Sequence, residues 1–432
     1  MTTHVGGHRT TRASSTPSRS PFTVVDELNC HFDSPGEPNN VHMEAWLPGH
    51  LDGGRLRAAV TAMLAGQPKA RGRRAAGGWS RRGYAWEFPD GAELDPVTVT
   101  NCRDDAELGL ARSRFLATAP PLDHSPLFRL LLAAGPEHDS LVLNAHHAAF
   151  DGHSCLLLLR LIAQHYSGEA PSALPDGSPA PHQATRRSLP RPSLGRAVRI
   201  APQRPAPAPG YGFSLLGWPG IPVPPRPADG SRATVNDLLI AALTDTITRW
   251  NADRRQKPGR IRITMPVDAR PPGHGGDLGN LSRLCTITAD GPRTPQAVAR
   301  QTARAKQQPG PPVGPVLAAA VRTPLPVPVK RRLIRLAVRT AGRLECDTSL
   351  LSNLGLVAEP PRFGDLEPAR MWFSTSAHMP RGLSVGAITV AGRLQLCFRY
   401  RYALLDDAAA GEFTAEFEAA LSRLAEQQEA AQ

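Results

Sequence analysis

Aromatic residues make up only 5% of this 432-residue chain, and no run of eighteen apolar residues occurs anywhere in it. The second absence excludes a transmembrane helix, which needs about twenty such residues to cross the hydrocarbon core. The first twenty residues are rich in Ser, Thr and Arg but hold no apolar stretch, which excludes an ordinary secretory signal and predicts a loose tail over 1–21. Cysteine is sparse as well. Cys30, Cys102, Cys155, Cys285, Cys346 and Cys397 stand singly with no CxxC, a spacing that fits neither a disulfide framework nor a zinc ribbon. A reducing, cytoplasmic home is therefore expected.

What the chain does have is proline, glycine and positive charge. Apolar residues at 41% and charged residues at 20% describe a globular protein long enough for two cores. The 44 prolines and 38 glycines predict long connecting segments. A net charge of +12 attracts acidic partners such as phosphorylated cofactors or an acidic carrier protein. Much of that charge lies in two clusters, Lys69, Arg71, Arg73, Arg74, Arg81 and Arg82, then Lys330, Arg331, Arg332, Arg335 and Arg339. The second is interleaved with Leu333, Leu336 and Val338 as on an amphipathic helix. No nucleic-acid motif accompanies either cluster, and a solvated face is the ordinary reading of each.

Hydrophobic periodicity sets the organisation. Val41, Met43, Ala45 and Leu47 alternate as in a strand. Asp52 then caps a helix with Leu56, Val60, Met63 and Leu64 on one face. Residues 128–132 and 141–144 read as two apolar strands joined through Gly135-Pro136. Prolines crowd the following region and no period survives, so 171–231 reads as a connection between one unit over 22–170 and another over 232–432. The second unit opens on a capping box, Thr234 with Asp237, and on an apolar face through Leu238, Leu239, Ala242, Leu243, Ile247 and Trp250. Ile261, Ile263 and Met265 alternate as a strand, and 384–390 with 394–402 form a hairpin at Ala391-Gly392. Phe413, Phe417, Leu421 and Leu424 stripe a last helix. Both units mix helix and strand, which places the chain in the α/β (α+β) class.

The chemistry sits in His146-His147-Ala148-Ala149-Phe150-Asp151-Gly152, between an apolar strand and an apolar helix. Neighbouring side chains in an extended segment point to opposite faces, so one histidine faces a cavity while the other is locked into the structure. A neutral imidazole can take a proton from a nucleophile near neutral pH. Asp151 can pair with a cation and hold the loop. Gly152 permits close approach, and its N–H at a helix start can face developing negative charge. Taken alone, a histidine at a strand end is more often structural, and Asp-Gly is an ordinary turn.

The heptapeptide resembles the His-His-x-x-x-Asp-Gly signature of the condensation-domain and chloramphenicol-acetyltransferase-like superfamily of acyltransferases. Val24-Val25-Asp26-Glu27-Leu28, Ala233-Thr234-Val235-Asn236-Asp237, Pro266-Val267-Asp268-Ala269-Arg270 and Ser352-Asn353-Leu354-Gly355 are similar to the same group, in order, so the likeness spans about residues 22–425. The heptapeptide carries the specificity; the others support it by order and spacing. No Asp-Phe-Gly-Trp-Gly motif of the plant branch is present.

The resemblance implies two chloramphenicol-acetyltransferase-like lobes with mixed sheets and an active-site tunnel between them. It maps the tunnel histidine to His147, the locked one to His146, and the structural carboxylate to Asp151 with Arg270 as its candidate partner. Asn353 falls on the segment that crosses near the tunnel. The implied activity is acyl transfer from a thioester to an amine or hydroxyl, of the kind found in peptide, polyketide or lipid secondary metabolism. The donor is coenzyme A or a carrier protein's phosphopantetheine arm, with no permanently bound cofactor and no metal. A stand-alone monomer acting on a small-molecule acceptor is expected, with an acyl or peptidyl carrier as the candidate protein partner and no nucleic acid. Three rival readings stand beside it. Gly152-His153-Ser154-Cys155-Leu156 begins like a nucleophile elbow but lacks its closing glycine. His146, His147, Asp151 and His153 could form a metal site, against which the opposite facing of adjacent histidines counts. A condensation-like module that recruits a carrier without catalysis is the serious competitor.

Overall fold

The computed structural model describes residues 17–169, 196–204, 210–218, 233–289, 294–307 and 315–430. Most of the first half is organised by a five-stranded sheet whose spatial order is Arg370–Ser374, Asn40–Leu47, Asp139–His146, Phe128–Ala134 and Val97–Asn101. Neighbours run antiparallel, except that Val97–Asn101 lies parallel to Phe128–Ala134. The strand alternation expected at Val41 to Leu47 is present, with one difference. Val41, Met43, Ala45 and Leu47 face an apolar core with Leu56, Val60, Met63, Leu158 and Ile162. The opposite set, Asn40, His42 and Glu44, is buried too. Glu44 is clamped by Arg112 at 2.5 and 2.6 Å and accepts from Ser140 Oγ at 2.6 Å, so the charge is paired rather than solvated.

The second sheet has six strands in the order Ser282–Ala289, Ile261–Asp268, Ser349–Leu356, Leu383–Val390, Arg393–Arg401 and Tyr211–Trp218. Helices Val235–Asp253 and Asp407–Ala430 cover it, joining Leu239, Leu243 and Trp250 to Phe413, Phe417 and Leu421 in one core. The expected capping box is formed: the Thr234 N–H donates to Asp237 Oδ2 at 2.9 Å. The Ala391-Gly392 turn has φ of +49° and +70°, the left-handed pair that a tight hairpin requires. A small third sheet, Ser18–Pro21, Ala85–Phe88 and Arg73–Arg74, sits beside the first.

Three placements depart from the sequence boundaries. Ser18–Pro21, read as the end of a tail, is a strand on Ala85–Phe88; residues 1–16 lie outside the described residues. Tyr211–Trp218, read as part of a connection, pairs along Arg393–Arg401 and extends the second sheet. Residues 170–195, 205–209 and 219–232 of that stretch lie outside the described residues. Arg370–Ser374, in the second unit by sequence, pairs with Asn40–Leu47 from Arg370↔Trp46 to Ser374↔His42. The chain then returns to Leu383–Val390, so the two sheets share a strap. Strand pairing between residues more than three hundred positions apart leaves no periodic trace in either strand, which is why composition alone drew the boundaries elsewhere.

Candidate active site

The strand Asp139–His146 lies in the middle of the first sheet and the helix Gly152–Ser167 starts six residues after its end, so the heptapeptide spans the strand-to-helix turn. His146 is the last strand residue and is 1% exposed. Its Nδ1 accepts the Ala148 N–H at 3.0 Å, and its Nε2 lies 3.9 Å from Asp33 Oδ2. Burial opposes ionisation of Asp33, but His146 and the Asn39 N–H, at 2.9 Å, hold its carboxyl below the usual range.

His147 turns the other way and is partly exposed. Its N–H donates to the Asn39 carbonyl at 2.9 Å, and its own carbonyl accepts from Asn280 Nδ2 at 2.7 Å. The ring Nδ1 lies 3.1 Å from the Phe150 carbonyl oxygen. A carbonyl can only accept, so Nδ1 carries the proton and Nε2 keeps its lone pair. Nε2 has no hydrogen-bond partner among the described residues. Burial lowers the imidazole pKa from its ordinary value, against smaller opposing pulls from the Phe150 carbonyl and Asp151. The ring therefore carries its proton on Nδ1, and burial favours its neutral form.

Asp151 caps the helix, accepting the Ser154 N–H at 2.8 Å. Arg270 grips both of its oxygens, at 2.9 and 3.1 Å, and Leu281 N–H and Ser282 Oγ add contacts at 2.9 and 3.2 Å. Burial works to raise the Asp151 pKa, yet the guanidinium and the amides bring it below the usual carboxylate range. With Ser154 Oγ donating to the Gly279 carbonyl at 2.7 Å, this network ties the loop around 268–282 to the start of the helix. Gly152 shows a steric requirement: a Cβ there would stand 2.9 Å from Leu354 Cδ2 and 3.0 Å from Phe373 Cε2.

Leu354 follows Asn353, whose Oδ1 accepts the Gly355 N–H at 2.8 Å where the strand Ser349–Leu356 breaks its pairing register. Asn353 thus shapes the strand that packs on Gly152, while His146, His147, Asp151 and Arg270 form the turn and its brace. Sequence reading missed His378, Asn39 and Asn280. His378 Nε2 lies 3.3 Å from Asn39 Oδ1, so Asn39 joins it to the His147 backbone. Burial, reinforced by the positive fields of Arg381, Arg399 and Arg401, pushes the His378 pKa down to about 3. A lone His before Met379-Pro380 carries no motif that would have marked it.

A cleft open to solvent reaches the turn at Ala149 and Phe150. Asn280, Leu281, Trp86 and Lys69 form part of its wall. Cys155, the thiol of the elbow-like stretch, is fully buried, and burial pushes its pKa far up, which disqualifies it as a nucleophile.

Comparison with known proteins agrees with this fold. No family model matches the chain. It is 31% identical over 428 residues to the uncharacterized protein Rv2305 of Mycobacterium tuberculosis (strain ATCC 25618 / H37Rv), covering 91% of this chain and 97% of that protein. Among solved structures it is similar to the first condensation domain of the CDA synthetase, with a TM-score of 0.67 at 18% identity over 95% of this chain and 97% of that one. The starter condensation domain of rhizomide synthetase RzmA, a mutant in complex with C8-CoA, superposes with a TM-score of 0.61 at 16% identity over 92% of each chain.

Proposed function

The chain belongs to the family of the Mycobacterium tuberculosis protein Rv2305 and has the condensation-type fold, and from that premise we propose that it is an acyltransferase using His147 as its base. The observation that carries the reading is the Nδ1–H···O=C contact to Phe150, which leaves Nε2 as a free acceptor on a neutral ring. An acceptor amine or hydroxyl attacks the carbonyl carbon of an acyl thioester. Its proton passes to His147 Nε2 as the new C–N or C–O bond forms. The C–S bond then breaks, and the same proton goes to the departing sulfur, releasing a thiol. Asp151 and Arg270 position the turn. General-base catalysis contributes about 10²–10⁴-fold, and holding both substrates together contributes further.

Coenzyme A or a carrier-borne phosphopantetheine supplies the thioester in this reading. The C8-CoA bound to the rhizomide domain supports a thioester ligand for the fold. The test is thioester consumption with His147→Ala beside the wild type, read by thiol release and by mass of the acylated product. Transfer that falls by about 10²-fold or more in the variant supports the reading. Equal turnover by both proteins removes His147 as the base. Tight donor binding without turnover by either makes the chain a recruitment module.

A further inference from the structure

The two basic clusters, distant in sequence, meet in the structure. Residues 53–86 contain eight Lys and Arg and no acid; residues 291–344 contain eleven and again no acid. The Val327 N–H donates to the Arg81 carbonyl at 2.7 Å, joining the two segments. From that junction runs the helix Val327–Glu345, which buries Val327 and Ile334 on one face and leaves other apolar residues outside. Its Lys330 is buried in an ion pair with Glu27 at 2.6 Å. Arg331 and Arg335 reach back to the carbonyls of Asp33 and His31. Val329, Leu333 and Leu336 meanwhile face solvent at 43%, 49% and 58% exposure. Their i, i+4, i+7 spacing makes one outward apolar stripe. Two residues before Arg81, Trp79 is 80% exposed in a Gly-Gly-Trp-Ser loop. Arg82, Arg322 and Arg332, on the same two segments, are exposed and make no ion pair among the described residues.

We propose that this face docks on an anionic lipid surface. Arg82, Arg322 and Arg332 lie against headgroup phosphates, and Trp79, Val329, Leu333 and Leu336 enter the boundary between headgroups and acyl chains. The chemistry matches on both counts. Aliphatic and indole side chains gain by leaving water at that depth, and each arginine near an anionic leaflet adds attraction. A soluble protein partner fits less well, because protein interfaces set register with charges of both signs and neither segment offers an acid. A nucleic acid would meet the arginines but leave the aliphatic stripe in water. The proposal stands apart from the transferase reading, and its readout needs no turnover.

The full chain is sedimented with phosphatidylcholine vesicles prepared with and without phosphatidylglycerol, at low and high salt. Three variants go alongside: Arg82→Glu with Arg332→Glu, Leu333→Glu with Leu336→Glu, and Trp79→Ser. Circular dichroism and consumption of a soluble thioester serve as controls that should not change, since none of these residues touches the His147 turn. Co-sedimentation only with the anionic vesicles is expected, weakened by salt and lowered by about tenfold or more in both double variants. Absence of co-sedimentation overturns the proposal. So does wild-type binding by the leucine and tryptophan variants, which would mean electrostatic adsorption with nothing inserted. A purified acidic carrier protein is run in parallel; if the variants lose it while vesicles never bind, the face belongs to a protein partner.

Discussion

His147 and His378 are both held neutral by burial, and for a base the sign of that effect is definite. Each has a folded pKa below the unfolded value of about 6.5, so the unfolded chain binds protons more readily as the pH drops. The stability these groups allow is therefore complete above about pH 6.5 and is lost below it, for His378 down to about 3. Urea titrations between pH 7 and 5 should show falling stability, and His378→Asn should flatten that slope; an unchanged slope would remove His378 as its source. In the same direction, the acid limb of kcat/KM should lie below the ordinary histidine range, because His147 stays unprotonated into mild acid. A limb at or above about pH 7 would mean that burial does not lower the pKa of the group that titrates. Asp151→Asn strips the charge from an ion pair whose partners are both 3% exposed, leaving Asp268, at 3.0 Å, as the remaining carboxylate on Arg270. A loss of about 3–5 kcal/mol is expected from denaturant midpoints. Replacing Arg270 by Met in the same background should recover part of it.

One position of the strand-to-helix turn, Gly152, has no side chain and is closely packed. A Cβ on Gly152 would press on Leu354 and Phe373, one from each of two strands in different sheets. Gly152→Ala should cost about 1–3 kcal/mol and lower turnover by moving the turn that carries His147. Thermal unfolding alongside the thioester assay tests both parts. Full activity with wild-type stability would mean that the contact yields without consequence.

For the whole molecule, the strap Arg370–Ser374 decides how the sheets meet. Gly386, on the strand Leu383–Val390 of the second sheet, is so close to it that a Cβ would overlap the Phe373 backbone carbonyl, at 1.9 Å. Backbone cannot swing aside as a side-chain end can, so Gly386→Ala must part the sheets at their junction. Loss of folded protein, or a destabilisation above about 4 kcal/mol, is expected. Any folded fraction should show a larger radius in solution scattering and little transfer activity. Wild-type dimensions and activity would show that the junction is not where the sheets are held.

Much of the fold is legible in the residues themselves, and the reason is local. Capping residues, the alternation of Val41 to Leu47, the Ala391-Gly392 turn and the helical stripes are written within a few residues of where they act. The opposite facing of His146 and His147 follows from strand geometry alone, and the heptapeptide carries its own order. Arg270 follows from the resemblance, not from spacing, and it stands on Asp151 at 2.9 Å. Only the tertiary structure decided the rest. Asn39, Asn280 and His378 come to the His147 turn from three separate parts of the chain, and no periodicity marks them. The strap, the edge strand Tyr211–Trp218 and the meeting of the two acid-free basic segments depend on contacts between distant residues. The sequence by itself determines what each segment can be, because propensity and capping are short-range. Which segments become neighbours is settled by burial and pairing across the whole chain, and that is visible only once it has folded.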